Sequence, residues 1–198
     1  MKRFAVILFA MLATVAPSAH DDAAIPEQLR ESGSFERVII SSYEPLQLAD
    51  LVGRADVIVE ASTRGGKLFL SATGSDIFTD YLFEVHTVIK NSENPQLRVG
   101  NAVLVRRDSG TIVIDGRTAV AYENDFPLFN RDEHYILFLA KPRGESSYSV
   151  LGGPQGAFSL RDGVKQTALE LGDWSNKHGL MARAAFLDEL RALLKFSS

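Results

Sequence analysis

The chain has no cysteine among its 198 residues. That excludes disulfide staples, thiolate nucleophiles and every zinc site built on sulfur. It also lacks an excess of positive charge. Lys and Arg number 21 against 25 Asp and Glu, a formal net charge of −4. Such a balance speaks against nucleic acid and offers no basic patch to an anionic membrane. No apolar run reaches the roughly 20 residues a spanning helix needs. Recognisable catalytic spacing is missing too. There is no Gly-x-Ser-x-Gly elbow, no His-x-x-x-His pair and no phosphate-cradling glycine loop followed by Lys.

What is present begins with an export signal. Lys2 and Arg3 form a positive start, Phe4 to Val15 an apolar run interrupted only by Thr14, and Ala16-Pro17-Ser18-Ala19 a stretch of small residues suited to cleavage. Removing residues 1–19 leaves 19 basic against 25 acidic residues, a net charge of −6. The expected product is a periplasmic or secreted protein with no membrane span. Cutting after Ser18 or after Ala19 leaves His20 at or beside the new amino terminus. An N-terminal His can chelate copper through its amine and ring. A solvated terminus is the simpler reading, so no metal or other cofactor is expected.

Residues 20–44 are weakly patterned and read as a flexible lead-in, with Val38-Ile39-Ile40 as a possible short strand. Residues 45–198 read as a single β-barrel domain. Leu46 to Arg54 has helical spacing after Pro45, giving a short helical turn. Val57-Ile58-Val59 begins a β-branched strand, and Arg64-Gly65-Gly66 reads as the hairpin turn that ends it. Tyr81, Phe83, Val85, Thr87 and Ile89 alternate with Leu82, Glu84, His86 and Val88 along a long strand. Val103 and Val105 alternate in the next. Asp115-Gly116 and Asp162-Gly163 mark two further hairpins, since Asp-Gly supplies the positive φ angles of a type I′ turn. His134 to Leu139 is apolar at almost every position, as in a strand covered on both faces or a short barrel strand. Phe83, Val85, Ile89, Ile136 and Phe138 are the expected core. An amphipathic helix over about 178–196 closes the chain, with Leu187 and Leu190 on its apolar stripe.

The fold class is therefore mainly β. The expected form is a small antiparallel OB-like barrel with a short N-terminal helical turn and a C-terminal amphipathic helix. The segments Leu48 to Glu60, Tyr81 to Lys90, Val99 to Val105, Glu133 to Leu139 and Tyr148 to Phe158 follow an order that supports this. In that order the chain resembles a group of uncharacterised exported bacterial proteins. It also resembles the OB-like barrel of netrin and metalloproteinase-inhibitor domains. The resemblance implies a fold and not an activity. Those inhibitors ligate the protease zinc through an N-terminal cysteine, which this chain lacks, so no functional residue is carried over.

Few residues suggest chemistry. His86, His134 and His178 have no ligand spacing, and Asp21-Asp22 and Asp132-Glu133 read as solvated loop charge. Gly152-Gly153-Pro154-Gln155-Gly156 reads as a tight connection between strands. Arg106-Arg107-Asp108 reads as a solvated strand end that discourages edge pairing. Tyr122, Phe126 and Phe129 stand in or near a loop and are the candidate binding patch. Two functions follow. One is an exported, non-enzymatic β-barrel module that binds a protein, peptide or envelope component. The other is a hydrolytic or metal-dependent enzyme whose residues converge from separate strands, with His86 and His134 as its suspects. Both rings in one polar pocket beside an acid would favour the enzyme. Rings packed apart would favour the binding module.

Overall fold

A computed structural model describes residues 23–92, 94, 96–167 and 181–196. The expected export signal, His20, Asp21, Asp22, His178 and the first residues expected of the C-terminal helix lie outside these. Two long strands organise the rest, β2 (Val57–Leu70) and β3 (Ile77–Asn91), paired antiparallel along nearly their whole length. Arg64-Gly65-Gly66 is not the turn between them. The strand runs on through a register shift at Thr63/Gly66, and the chain reverses after Leu70 instead. Glycine is needed at this point for proximity as well as bending. A Cβ on Gly66 would meet Thr79 Cγ2 at 2.5 Å. The side chains of Thr79 and Tyr81 on β3 therefore pack directly over the β2 backbone there.

The larger sheet is ordered β10-β9-β7-β2-β3-β4, with β8 also paired to β7. Its remaining members are β4 (Ala102–Arg107), β7 (His134–Ala140), β8 (Ser149–Val150), β9 (Ala157–Ser159) and β10 (Lys165–Gln166). All its strand ladders are antiparallel, and as ladders they form an open path. One isolated parallel bridge links Val105 to Tyr148 at the entrance to β8. There Tyr148 N donates to Leu104 O at 2.7 Å, and Arg106 N donates to Tyr148 O at 2.8 Å.

Strands β2 and β7 are covered on both faces, as the unbroken apolar run at His134 to Leu139 predicts. Val57, Val59, Ala61, Tyr135, Leu137 and Leu139 enter one core with Phe83, Val85, Val103 and Val105. Ile58, Ile136 and Phe138 enter a second. That second core is roofed by α2 (Leu48–Arg54) and the C-terminal helix α3 (Arg183–Phe196), whose Phe186, Leu187 and Leu190 are buried. Of the expected core residues, Phe83, Val85, Ile136 and Phe138 are fully buried. Ile89 is half-buried against the second core, while Val88 turns to the first. The register shifts at Ile58/Val59 and Glu60/Ala61 explain this, because each exchanges the faces of the residues that follow.

The region expected to be a flexible lead-in is instead structured from residue 25. Helix α1 (Ile25–Ser32) buries Ile25 and Leu29, and β1 (Phe35–Ile39) buries Phe35. A single four-residue spacing, Ile25 to Leu29, is too sparse in this polar stretch to register as a periodic pattern, yet two anchors suffice on so short a helix. Strand β1 runs parallel to β6 (Arg117–Glu123), which pairs antiparallel with β5 (Gly110–Ile114). These three form a separate sheet with its own small core, to which Ile25, Leu29, Phe35, Ala119 and Ala121 contribute. The β5–β6 turn is Asp115-Gly116, with φ of 50° and 76°, as the Asp-Gly signal requires.

Candidate functional site

A cleft of about 740 Å³ lies at the seam of the two sheets. One wall is β1, through Phe35, Arg37, Val38 and Ile39. The other is built by the β2–β3 turn, the end of β4 and the β7–β8 loop with Tyr148. Helix α1 and its two buried anchors hold β1 beside the larger sheet without letting the strand join it. Strand β1 is consequently an edge, paired on one side with β6 only. Among the described residues no hydrogen bond engages its outer backbone edge.

Charged groups are distributed around this cleft, and most are paired. Arg37 Nη1 donates to Asp76 Oδ1 at 2.9 Å and to Ser75 O at 3.0 Å. Arg106 grips Asp80 with two hydrogen bonds, 2.8 and 2.9 Å, while its guanidinium sits over Phe78 and reaches Glu145 at 3.4 Å. Asp108 is the exception. Its carboxylate has no hydrogen bond or ion pair among the described residues, although it lines the cleft. Its pKa is raised above the usual aspartate value, chiefly because neighbouring atoms strip away water, and further by the charges of Glu123 and Asp76, against the opposing pull of Arg106 and Arg107.

The residues Arg106, Arg107 and Asp108 are thus not a uniformly solvated strand end. Alternation along a strand sends neighbours to opposite faces, so three successive charges cannot all point to water. Arg107 is the one turned inward, with 3% of its surface exposed. Its Nη2 donates to Glu123 Oε2 at 2.7 Å and to Phe126 O at 2.6 Å, and its Nη1 donates to Pro127 O at 2.5 Å. Tyr43 completes the network by donating to Glu123 Oε1 at 2.9 Å.

The expected aromatic binding patch is not a surface. Phe126 and Phe129 are buried, and the Arg107 guanidinium lies 3.5 Å from the Phe126 ring centre. Phe129 meets Tyr81, Phe83 and Tyr135 edge-to-face with centres 5.0–5.2 Å apart. These rings plug one end of the first core, which is why a loop carries them. Only Tyr122 remains at the surface, 38% exposed.

His86 and His134 do come together, which their positions in sequence do not reveal. Both β3 and β7 pair with β2, and Ser62 stands between them. Its side chain is small enough to let the two imidazoles lean over it and stack, with centres 4.9 Å apart and planes 13° from parallel. His86 Nε2 lies 2.8 Å from Ser62 Oγ. A nucleophilic triad would need an acid on the other ring nitrogen. Glu84 interacts electrostatically with His86, but Arg64 hydrogen-bonds its carboxylate and lowers its pKa. Glu133 is held by Ser159 and Asn130. Burial alone would raise the Glu133 carboxyl, and those hydrogen bonds outweigh it and lower it. Parallel rings also direct their lone pairs side by side rather than toward one point. No group of three His, Asp or Glu side chains able to hold a metal occurs among the described residues.

The glycine-rich loop cradles this chain's own backbone. Gly152 and Gly153 have φ of 66° and 58°, and a Cβ on Gly153 would collide with the Tyr43 ring. Buried Gln155 accepts from Leu46 N at 2.8 Å and donates to Glu44 O at 3.0 Å. The loop is therefore a clasp for residues 43–46, as a tight connection should be. Neither a protein-family model nor a curated protein matches the chain in sequence.

Proposed function

We propose that this protein is an exported, non-enzymatic binding module of the cell envelope, with the cleft between its two sheets as the binding site. The observation that carries the reading is the cleft itself. Its walls combine apolar surface, backbone not used by the fold and one unpartnered carboxylate, the mixture by which ligand sites gain both affinity and orientation. The larger sheet is read as an open, OB-like barrel whose β4 edge approaches the start of β8 at the isolated Val105–Tyr148 bridge. The two hydrogen bonds at that bridge support this reading, as does the run of antiparallel pairing from β4 through β3, β2 and β7 to β8. The basic start and apolar run of residues 2–15 support export.

The enzyme reading has three observations in its favour, the stacking of His86 on His134, the nearby charge of Glu84 and the 2.8 Å contact between Ser62 and His86. Against it, Ser62 is only 3% exposed, and no carboxylate among the described residues orients the imidazole.

A photoreactive amino acid at Val38, on the cleft wall, tests the reading in cells that export the protein. The control position is Leu128, which is exposed but does not line the cleft. Discrete crosslinked adducts should form from Val38 and not from Leu128. Equal labelling from both, or a hydrolytic activity abolished by Ser62→Ala, would overturn it.

A further inference from the structure

We infer that the occupant of the cleft is an extended peptide segment carrying a basic side chain, which adds to β1 as a new strand and places its cation against Asp108. This rests on the binding reading above and names the partner's chemistry.

Three observations converge on it. First, β1 is an edge strand whose outer N–H and C=O groups have no partner among the described residues. Exposed edges invite strand addition, and folded proteins ordinarily blunt them with charge, proline, bulges or a covering segment. Phe35-Glu36-Arg37-Val38-Ile39 has no proline and no bulge. Its Arg37 is turned aside into an ion pair with Asp76. The edge is thus left in a form that can pair.

Second, this edge opens onto a bounded space and not onto bulk solvent. The cleft's volume of about 740 Å³ is in the range of ligand sites, and Ile39 and Tyr148 on its walls offer apolar contact to the side chains of an added strand. In strand addition the main-chain hydrogen bonds supply affinity for any sequence, so selectivity must come from the walls.

Third, the walls carry a charge imbalance. Arg37 and Arg106 are already contacted by Asp76 and by Asp80 with Glu145, so the exposed Asp108 feels Arg106 and Arg107 only at a distance and is in contact with neither. A carboxylate that has lost part of its hydration without gaining a partner favours a ligand cation over a neutral group, and repels an anion. A Lys or Arg on the incoming strand satisfies it. An acidic peptide does not.

The test uses the mature protein and three synthetic probes. They are the acetylated, amidated peptide Thr-Val-Thr-Lys-Thr-Val-Thr, its Glu analogue, and the Lys peptide N-methylated at alternate residues. Dissociation constants come from titration, and the site from amide hydrogen exchange of residues 35–39. The Lys peptide should protect those amides and bind about fivefold more tightly than the Glu peptide, as expected for one half-exposed charge contact. The Asp108→Asn variant should fold normally, still bind the Lys peptide, and lose that preference. N-methylation should weaken binding by about tenfold or more, because several main-chain hydrogen bonds are lost together.

Several results would overturn the inference. One is protection of residues 35–39 by neither peptide. Another is a Lys preference unchanged in Asp108→Asn. A third is protection by chitotetraose instead, which would assign the cleft to a glycan. Protection that rises with protein concentration in the absence of peptide would assign the edge to a second copy of this chain. In each of these cases the Val38 crosslinking result stands independently, so failure of the peptide assignment is distinguishable from failure of the binding reading.

Discussion

His86 and His134 stack over Ser62, each arriving from a strand that flanks the serine's own strand, with ring planes 13° from parallel. The contact depends on the small size of the central residue. Ser62→Leu should push the rings apart and, being a small-to-large change at a buried site, cost about 1–3 kcal/mol. Replacing both histidines by Gln should lower stability modestly and leave metal content unchanged. Elemental analysis of native and substituted protein decides the point. About one metal per chain in the first and none in the second, with the fold retained, would restore the metal-dependent enzyme reading.

Arg107 and Glu123 form an ion pair that the fold cannot lose cheaply. Both are shielded, and the guanidinium also binds two backbone oxygens and covers Phe126. Removing one partner of a buried pair leaves an uncompensated charge, with a typical cost of about 3–5 kcal/mol. Arg107→Met is expected to fall in that range by urea denaturation. Adding Glu123→Gln to it should cost much less than the two single losses combined, because the second change removes the stranded charge. Simple additivity would show that the pair is not coupled.

The elements legible in the sequence are those whose pattern is local. Asp115-Gly116 favours its turn by φ preference alone, and the unbroken apolar run from Tyr135 to Leu139 reads as a strand with no face left for solvent. The β1 strand was half legible as Val38-Ile39-Ile40. Its parallel partner β6 lies far along the chain, however, and no local signal announces such a pairing. The same holds for the site. Tyr122, Phe126 and Phe129 looked like a patch because composition cannot distinguish a loop aromatic that faces water from one that caps a core. The cleft needs an edge strand, a turn and a loop from three distant segments. Its one sequence trace was the run Arg106-Arg107-Asp108, where strand alternation demands that some charge be turned from solvent.

Phe138 offers the cleanest test of the second core. It is fully buried on β7, 5.6 Å from the Phe158 ring centre, and Phe158 in turn lies 4.9 Å from Phe186 of α3. Truncation to Ala removes the middle of the sheet's contact with its helical roof. The expected loss is about 3–5 kcal/mol. A thermal midpoint that did not move would falsify the placement of α3 on this face.

Asp108 separates a site from a merely tolerated surface charge. Its carboxyl is raised above the ordinary aspartate range by lost hydration, then by Glu123 and Asp76. The folded protein therefore holds a proton more tightly there than the unfolded chain does. For such a group the contribution to stability is greatest at low pH, below the unfolded value, and is lost as pH rises through the folded one. At neutral pH the ionised carboxylate is a net liability in the free protein. Asp108→Asn should accordingly raise the thermal midpoint at pH 7, and the gain should fade as pH falls through the aspartate range. Thermal melts of both proteins from pH 7 to pH 3 measure this. Added Lys peptide should reverse the order at pH 7, because the wild-type carboxylate then has a cation to meet and the amide does not. A variant stabilised equally at every pH would show that Asp108 carries no charge penalty, removing the physical reason for a cation in the cleft.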